Sequence, residues 1–270
     1  MIEIGVPSIV RTDWLADRTG SGDLKLIDVR QPFVYSQAHV PSAVSLPTFL
    51  LTPPGGRAPI VDRIAQMLGR NGITAEDHIV AYDEGASAAA ARLYWLLKYS
   101  GHPAVSVLDG GIMKWSQEGL PLESGAVSPS PAEYRRQAGE TGVLATLEDV
   151  QAAVGGEQTQ LLDVRSSLEF NGAQPTALRN GHIPGAKHLD WVDTFVQDDV
   201  GVHLRPDSEL RNLLVQAGIR DDRPIIVHCQ SGNRSSHMFL VLQHLGYPQV
   251  ANYGAGWQEW GNRTDTDIEL

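Results

Sequence analysis

Cysteine is almost missing from this chain: 270 residues hold a single one, Cys229. That excludes an intramolecular disulfide and any CxxC metal or redox motif, so whatever the thiol does, it does without a resolving thiol in its own chain. Long apolar runs are missing as well. No stretch approaches the roughly 18 apolar residues of a membrane-spanning helix, and the first fifteen residues, MIEIGVPSIVRTDWL, lack a basic start, an apolar core and a small-residue cleavage site. The expectation is a cytoplasmic protein with no membrane partner. Positive charge is scarce: 21 Lys and Arg face 32 Asp and Glu, for a net charge of −11. A broad basic surface for nucleic acid is therefore not expected, and any anionic ligand must be held by local groups. No cluster of Cys, His and carboxylates has the spacing of a transition-metal site, so neither metal nor cofactor is implied.

What is present begins with size. At 42% hydrophobic and 20% charged, 270 residues suffice for two ordinary cores. The two are copies. LLDVR at 161–165 echoes LIDVR at 26–30, GHIPGA at 181–186 echoes AHVPSA at 38–43, IIVHC at 225–229 answers IVAYD at 79–83, and AGWQEW at 255–260 answers GGIMKW at 110–115. Four matches in one order make a duplication. Loops have lengthened in the second copy, most of all by eight residues before Gly181. The expected division is a first domain at 1–125, a linker at 126–142 rich in Gly, Ser, Pro and charge, and a second domain at 143–270.

Each copy reads as alternating strands and helices. LKLIDV, QLLDV, HIVAY and PIIVH are short apolar runs suited to buried parallel strands. Ile64, Met67 and Leu68, then Leu210, Leu213, Leu214 and Ala217, recur at the three-and-four spacing of an amphipathic helix. Longer apolar helices are predicted at 88–99 and 235–245, each ending near a glycine with a proline just beyond. The fold class is α/β: two domains, each a mainly parallel sheet covered by helices on both faces.

The sequence PIIVHCQSGNRSSHMFLVLQHLG sets Cys229 at the carboxyl end of a strand, before a short polar loop and a helix predicted to begin near Ser235. Open α/β sheets bind ligands there. Backbone N–H groups of such a loop can form an anion cradle at a helix N-terminus, with Ser235 and Ser236 as N-cap candidates. Helix dipole, inward amides and the Arg234 cation all favour the thiolate of Cys229. A buried cysteine of purely structural use has no need of Gly232, Arg234 and a serine-capped helix after it. Four residues separate Cys229 from Arg234, one fewer than in phosphatases with a cysteine nucleophile, so the loop suits a sulfur and its substituents better than a phosphate. His228 reads as a strand-end residue and His237 as a helix-surface residue.

These residues resemble the rhodanese family, the sulfurtransferases built from two rhodanese domains. The resemblance covers nearly the whole chain and rests on DVR at 163–165, GHIPGA at 181–186, the loop CQSGNR at 229–234 and NYGAGWQEWGN at 252–262. It implies two tandem rhodanese-like domains, an inactive first copy, and a ping-pong cycle through a persulfide on Cys229. Asp83 stands at the cysteine position in the first copy and cannot carry sulfur.

The family divides mainly between thiosulfate and 3-mercaptopyruvate as donor. Animal thiosulfate enzymes have a CRKGVT loop and mercaptopyruvate enzymes CGSGVT; Gln230 fits neither, Ser231 and Gly232 agree with the latter, and Asn233 with Arg234 departs from both. An arginine closing the loop is similar to bacterial thiosulfate sulfurtransferases. The expectation is a thiosulfate sulfurtransferase with Cys229 catalytic and Gln230, Ser231, Gly232, Asn233, Arg234 and Ser235 around a small anionic sulfur donor. Arg179 is a second candidate to hold the donor's anionic end. The alternatives are a 3-mercaptopyruvate sulfurtransferase, or a persulfide carrier serving a protein acceptor. Asp28, Arg30, Asp163 and Arg165, present in both copies, are expected to brace loops. His39 and His182 are duplicated likewise, and Trp257 and Trp260 are expected to pack.

Overall fold

Apolar runs in both halves become parallel strands. The structure, a computed structural model, describes residues 6–51 and 61–270; residues 1–5, where the segment read for a leader begins, lie outside them. In chain order the first half contains β1 (Ile9–Val10), α1 (Thr12–Ala16), β2 (Leu24–Asp28), α2 (Pro32–Gln37), β3 (Val44–Ser45) and α3 (Val61–Arg70). It continues with β4 (His78–Tyr82), α4 (Ala88–Ser100), β5 (Val105–Leu108) and α5 (Gly111–Gln117). The second half contains α6 (Leu147–Ala153), β6 (Gln160–Asp163), α7 (Ser167–Phe170) and β7 (Lys187–His188), then the hairpin β8 (Phe195–Asp198) and β9 (Gly201–Leu204). It closes with α8 (Asp207–Gln216), β10 (Ile225–His228), α9 (Asn233–His244), β11 (Val250–Tyr253) and α10 (Gly256–Trp260).

The sheets repeat one topology. The first runs β1-β5-β4-β2-β3 and the second β11-β10-β6-β7, with every pairing in both sheets parallel. A parallel bridge from Leu144 to Asn252 stands beside β11 where β1 stands beside β5. Helices flank both sheets, so central strands are covered on both faces: all four residues of β10 and four of the five of β4 are buried. In register, Asp28 lies beside Tyr82 and Asp163 beside His228, which brings each aspartate to the strand end that precedes the key loop.

Each core is closed by the same tryptophan. Trp115 is 1% exposed and donates its indole N–H to the Pro121 carbonyl at 2.7 Å; Trp260 is also 1% exposed and donates to the Asp267 carbonyl at 2.9 Å. Trp115 packs with Leu15, Val80 and Ile112, and Trp260 with Leu161, Ile226 and Trp257. Among the described residues two compact units result, one of 6–51, 61–140 and 196–204 and the other of 141–195 and 205–270. Residues 126–140, expected as linker, thus count with the first unit, as does most of the β8–β9 hairpin. No helix among the described residues is long and apolar enough to cross a membrane.

Candidate active site

Strand β10 delivers Cys229 to its carboxyl end, and the chain then turns in three residues into α9. Gly232, at φ +95°, is the N-cap. The helix therefore starts at Asn233, not near Ser235 as expected, because a left-handed glycine turns the chain earlier than a serine cap could. Two consequences correct the sequence reading. Arg234 lies in the first helical turn and not in the loop, and neither serine caps: Ser236 Oγ donates to the Gly232 carbonyl at 2.6 Å and accepts from Asn252 Nδ2 at 2.9 Å, while Ser235 Oγ is buried without a hydrogen-bond partner. Cys229 is 1% exposed, and its Sγ accepts the Gly232 N–H at 3.2 Å.

The first half shows what such a loop holds. Asp83 Oδ1 accepts the N–H groups of Gly85 and Ser87, each at 3.0 Å, and Oδ2 accepts those of Ala89 at 3.0 Å and Ala90 at 3.2 Å. Burial pushes the Asp83 carboxyl up, and these four donors oppose that push. Ser87, the N-cap of α4, sits in the same left-handed region as Gly232, at φ +58°. Counting from the caps, Ser87 matches Gly232, and Ala89 and Ala90 match Arg234 and Ser235; the first loop is one residue longer than a direct alignment of the sequences suggests. A carboxylate has two acceptor atoms and a thiolate one. The first-turn N–H groups of Arg234 and Ser235, which by position have no intrahelical acceptor, match in chemistry the second sulfur of a persulfide.

Arg234 is not a free cation. Its Nη1 donates to Glu169 Oε2 at 2.6 Å and its Nη2 to Oε1 at 2.9 Å. Burial would raise the Glu169 carboxyl, but Arg234 and the Ser166 donors outweigh it and hold the carboxyl below its ordinary value. The Glu169 bonds, with Cys229 beside them, hold the Arg234 guanidinium above its own. Sequence reasoning missed Glu169. Its signal was there in Ser166-x-x-Glu169, a capping box, which the structure forms on α7: Ser166 Oγ accepts the Glu169 N–H and Glu169 accepts the Ser166 N–H.

From below, the loop is held by backbone. Cys229 and Gln230 carbonyls accept the N–H groups of Trp257 and Gln258 at 2.8 and 2.9 Å. Gly256, at φ +57°, makes this approach possible: a Cβ there would sit 2.2 Å from the Cys229 carbonyl oxygen. Gly111 does the same under Asp83, where a Cβ would meet the carbonyl oxygen at 2.4 Å.

The duplicated Asp–Arg pairs brace loops as expected. Arg30 Nη2 reaches Asp28 at 2.7 Å and the Ala38 carbonyl at 2.6 Å; Arg165 Nη2 reaches Asp163 at 2.6 Å and the Gly181 carbonyl at 2.8 Å. Trp257 packs as expected, 4.4 Å from the Arg165 guanidinium. Burial pushes the Asp163 carboxyl up, and the charges of His228 and Arg165 more than reverse it. Asp163 in turn opposes the burial that lowers His228. His39 and His182 are twin clips: each exchanges two backbone bonds with a distant glutamate, Glu123 or Glu269, and stacks on the ring of Tyr35 or Phe170.

The remaining candidates disperse. Gln230 Nε2 donates to the Thr176 carbonyl at 2.9 Å, in the segment that lengthens the second copy, and Ser231 and Asn233 are exposed. Arg179 is engaged elsewhere: it donates to the Thr266 carbonyl at 2.8 Å and the Trp260 carbonyl at 3.1 Å, so its guanidinium pins the C-terminal turn. His237 is not a surface residue. It is fully buried against Trp191 and Phe195, its Nε2 lies 2.9 Å from Thr194 Oγ1, and burial lowers it to about 3. No group of three or more His, Cys, Asp or Glu among the described residues could hold a metal ion.

Comparison with known proteins follows the same outline. The profile of the rhodanese-like domain matches twice, at residues 11–118 and 146–263. The sulfur carrier protein TtuD of Thermus thermophilus is 32% identical over 96% of this chain and 95% of its own length. The thiosulfate sulfurtransferase of Pseudomonas aeruginosa is 30% identical over 98% of each chain, and the 3-mercaptopyruvate sulfurtransferase of Escherichia coli 31% identical over 96% of this chain and 97% of its own. Among solved structures, SseA from Escherichia coli superposes with a TM-score of 0.81 at 30% identity, covering 93% of this chain and 99% of that one.

Proposed function

Because this chain belongs to the rhodanese family and is a sulfurtransferase of that type, we propose that it transfers the outer sulfur of thiosulfate through a persulfide on Cys229. The Cys229 thiolate attacks the outer sulfur of thiosulfate; the S–S bond to the sulfonate breaks and sulfite leaves with the electron pair. The enzyme keeps a persulfide, Cys–S–S⁻. A thiophilic acceptor such as cyanide then attacks that outer sulfur, and thiocyanate departs as the thiolate returns.

The observation that carries this reading is the match between the two loops. In one, a carboxylate takes two pairs of N–H donors; in the other, Cys229 Sγ takes the Gly232 N–H, and the N–H groups of Arg234 and Ser235 suit a second anionic sulfur on the same side chain. The Arg234–Glu169 pair lies beside Cys229. Purified protein should form thiocyanate from thiosulfate and cyanide, and Cys229→Ser should lose at least about 10³-fold in turnover. Equal turnover by the two proteins would sink the mechanism. Thiosulfate is put before 3-mercaptopyruvate because an arginine five residues after the cysteine resembles bacterial thiosulfate sulfurtransferases, and a higher kcat/KM for 3-mercaptopyruvate would reverse that order.

A second reading draws on the relative named as a sulfur carrier, at 32% identity: the persulfide is handed to a protein acceptor. A mass gain of about 32 Da on Cys229, one sulfur, followed by its loss on adding such an acceptor, would favour it.

A further inference from the structure

Glu169 and Arg234 occur together in one half only. In the first half the matching positions are Val34, six residues after Asp28 as Glu169 is six after Asp163, and Ala89, the second residue of α4 as Arg234 is the second of α9. That half builds the same parallel sheet, the same Asp–Arg brace and the same left-handed helix cap with neither charge. The fold does not need the pair. Nor is the pair a surface ornament: the side chains are 7% and 23% exposed, so both charges give up much of their hydration.

The carboxylate is also aimed in advance. Glu169 Oε2 accepts the Ser166 N–H and Oγ–H at 3.0 Å each, and the next residue, Phe170, stacks on His182 with ring centres 3.7 Å apart. Glu169 is thus fixed by α7's own cap and anchor, independently of Arg234, and takes one hydrogen from each Nη. Cys229 and Asp190 also act on Arg234.

Resting on the reading of Cys229 as the sulfur-accepting thiolate, we infer that Glu169 sets the charge this loop shows to substrate. By turning Arg234 from a free cation into a neutral bidentate pair, it lowers the loop's attraction for dianions such as thiosulfate more than for monoanions, while leaving thiosulfate the proposed donor. Thiosulfate is then accepted mainly by backbone N–H groups, with a KM higher than an unpaired arginine would give. Glu169 acts through Arg234; it is a positioning and specificity residue.

Two variants of the full chain separate its two effects. Glu169→Gln keeps the shape and the acceptor oxygen but removes the negative charge. Glu169→Ala releases Arg234 altogether. The readouts are kcat and KM with thiosulfate, a dianion, and with 3-mercaptopyruvate, a monoanion, together with the pH midpoint for alkylation of Cys229 by iodoacetamide, which needs no donor. For Glu169→Gln the expected result is a KM for thiosulfate about 3- to 10-fold lower, a smaller fall for 3-mercaptopyruvate, and an alkylation midpoint lower by about half a pH unit. For Glu169→Ala it is a kcat lower by about 10-fold or more and a midpoint shifted upward. A structural role alone moves both variants the same way. An unchanged or higher thiosulfate KM in folded Glu169→Gln, or midpoints shifted in the same direction, overturns the inference. Should the parent turn over neither donor, the proposed function falls, and the alkylation midpoints still decide the part played by Glu169.

Discussion

The loop after β4 and the loop after β10 are built on one plan and hold opposite things. One ends its strand in Asp83, whose carboxylate consumes four backbone N–H groups permanently. The other ends in Cys229, whose single sulfur takes one. The difference teaches that the cradle is first a way to start a helix next to a strand end, and becomes a chemical site only through the side chain set into it. The glycine that allows close backbone approach, the left-handed cap, the Asp–Arg brace and the closing tryptophan belong to both loops. Cys229, Glu169, Arg234 and the longer segment before Gly181 belong to one.

The sharpest way to break this comparison is to make the second loop copy the first. Cys229→Asp should lose at least about 10³-fold in sulfur transfer yet remain folded, since a carboxylate at this position meets the same kind of donors as Asp83. A variant that fails to fold would show that the two cradles are not equivalent. The reverse change is gentler on activity and harder on stability. Asp83→Ala strips the acceptor from four N–H groups, a cost of about 3 kcal/mol, or a melting temperature lower by about 6–12 °C for the first unit. Turnover per folded molecule should stay within about twofold. A tenfold loss would mean that Asp83 takes part in the chemistry.

A smaller effect separates the two supporting glycines. Gly256→Ala and Gly111→Ala each force a Cβ into a backbone carbonyl at 2.2 or 2.4 Å, at left-handed φ. Both should destabilise by about 2 kcal/mol. Only Gly256→Ala, which displaces the Cys229 carbonyl, should also lower turnover of the folded protein, by about 10-fold; equal kinetics in the two variants would show that the backbone under Cys229 tolerates displacement.

Much of this could be read from residues alone, and the reason is duplication. Because LIDVR, AHVPSA, IVAYD and GGIMKW recur, the parallel sheets, the bracing Asp–Arg pairs and the substitution of Asp83 for Cys229 were all visible in the one-dimensional comparison. What escaped it depended on three-dimensional pairing or on a single backbone angle. Sequence alone makes Arg234 a loop cation, because no local rule couples it to Glu169, 65 positions earlier; the capping box that aims Glu169 is a helix-start signal and says nothing of its second partner. Arg179 sits among polar residues, and only the fold brings Thr266 and the Trp260 carbonyl to it. The serines predict an α9 start two residues late, because Gly232 supplies the cap. Sequence alone puts His237 on a helix surface, because a buried imidazole leaves no periodic trace when both faces of the helix are covered.

Buried histidines give the last and smallest contrast. His102 in the first unit is lowered to about 4 and His237 in the second to about 3, in both cases by burial, and burial likewise lowers His78 and His228. Such a group is neutral in the folded chain and protonates near 6.5 once unfolded, so the unfolded state binds more protons between those values. Stability is then complete above about pH 6.5 and falls as pH drops, by up to about 1.4 kcal/mol per pH unit for each histidine. For His102 that loss ends near pH 4 and for His237 near pH 3. Two carboxyls widen the gap. Asp163 and Glu169, held below their ordinary values, contribute stability above those values and lose it as pH falls through the lowered ones. Asp83, held above its ordinary value by burial, binds its proton earlier folded than unfolded, so acid favours the first unit at that position. Both units should therefore weaken together from pH 6.5 to about 4, and below that the Cys229 unit should open first. Hydrogen exchange followed by mass spectrometry, peptide by peptide from pH 7 to 3, resolves the two; earlier loss of protection in β4 and α4 than in β10 and α9 would mean that the four donors around Asp83, and not its burial, govern the acid response of that loop.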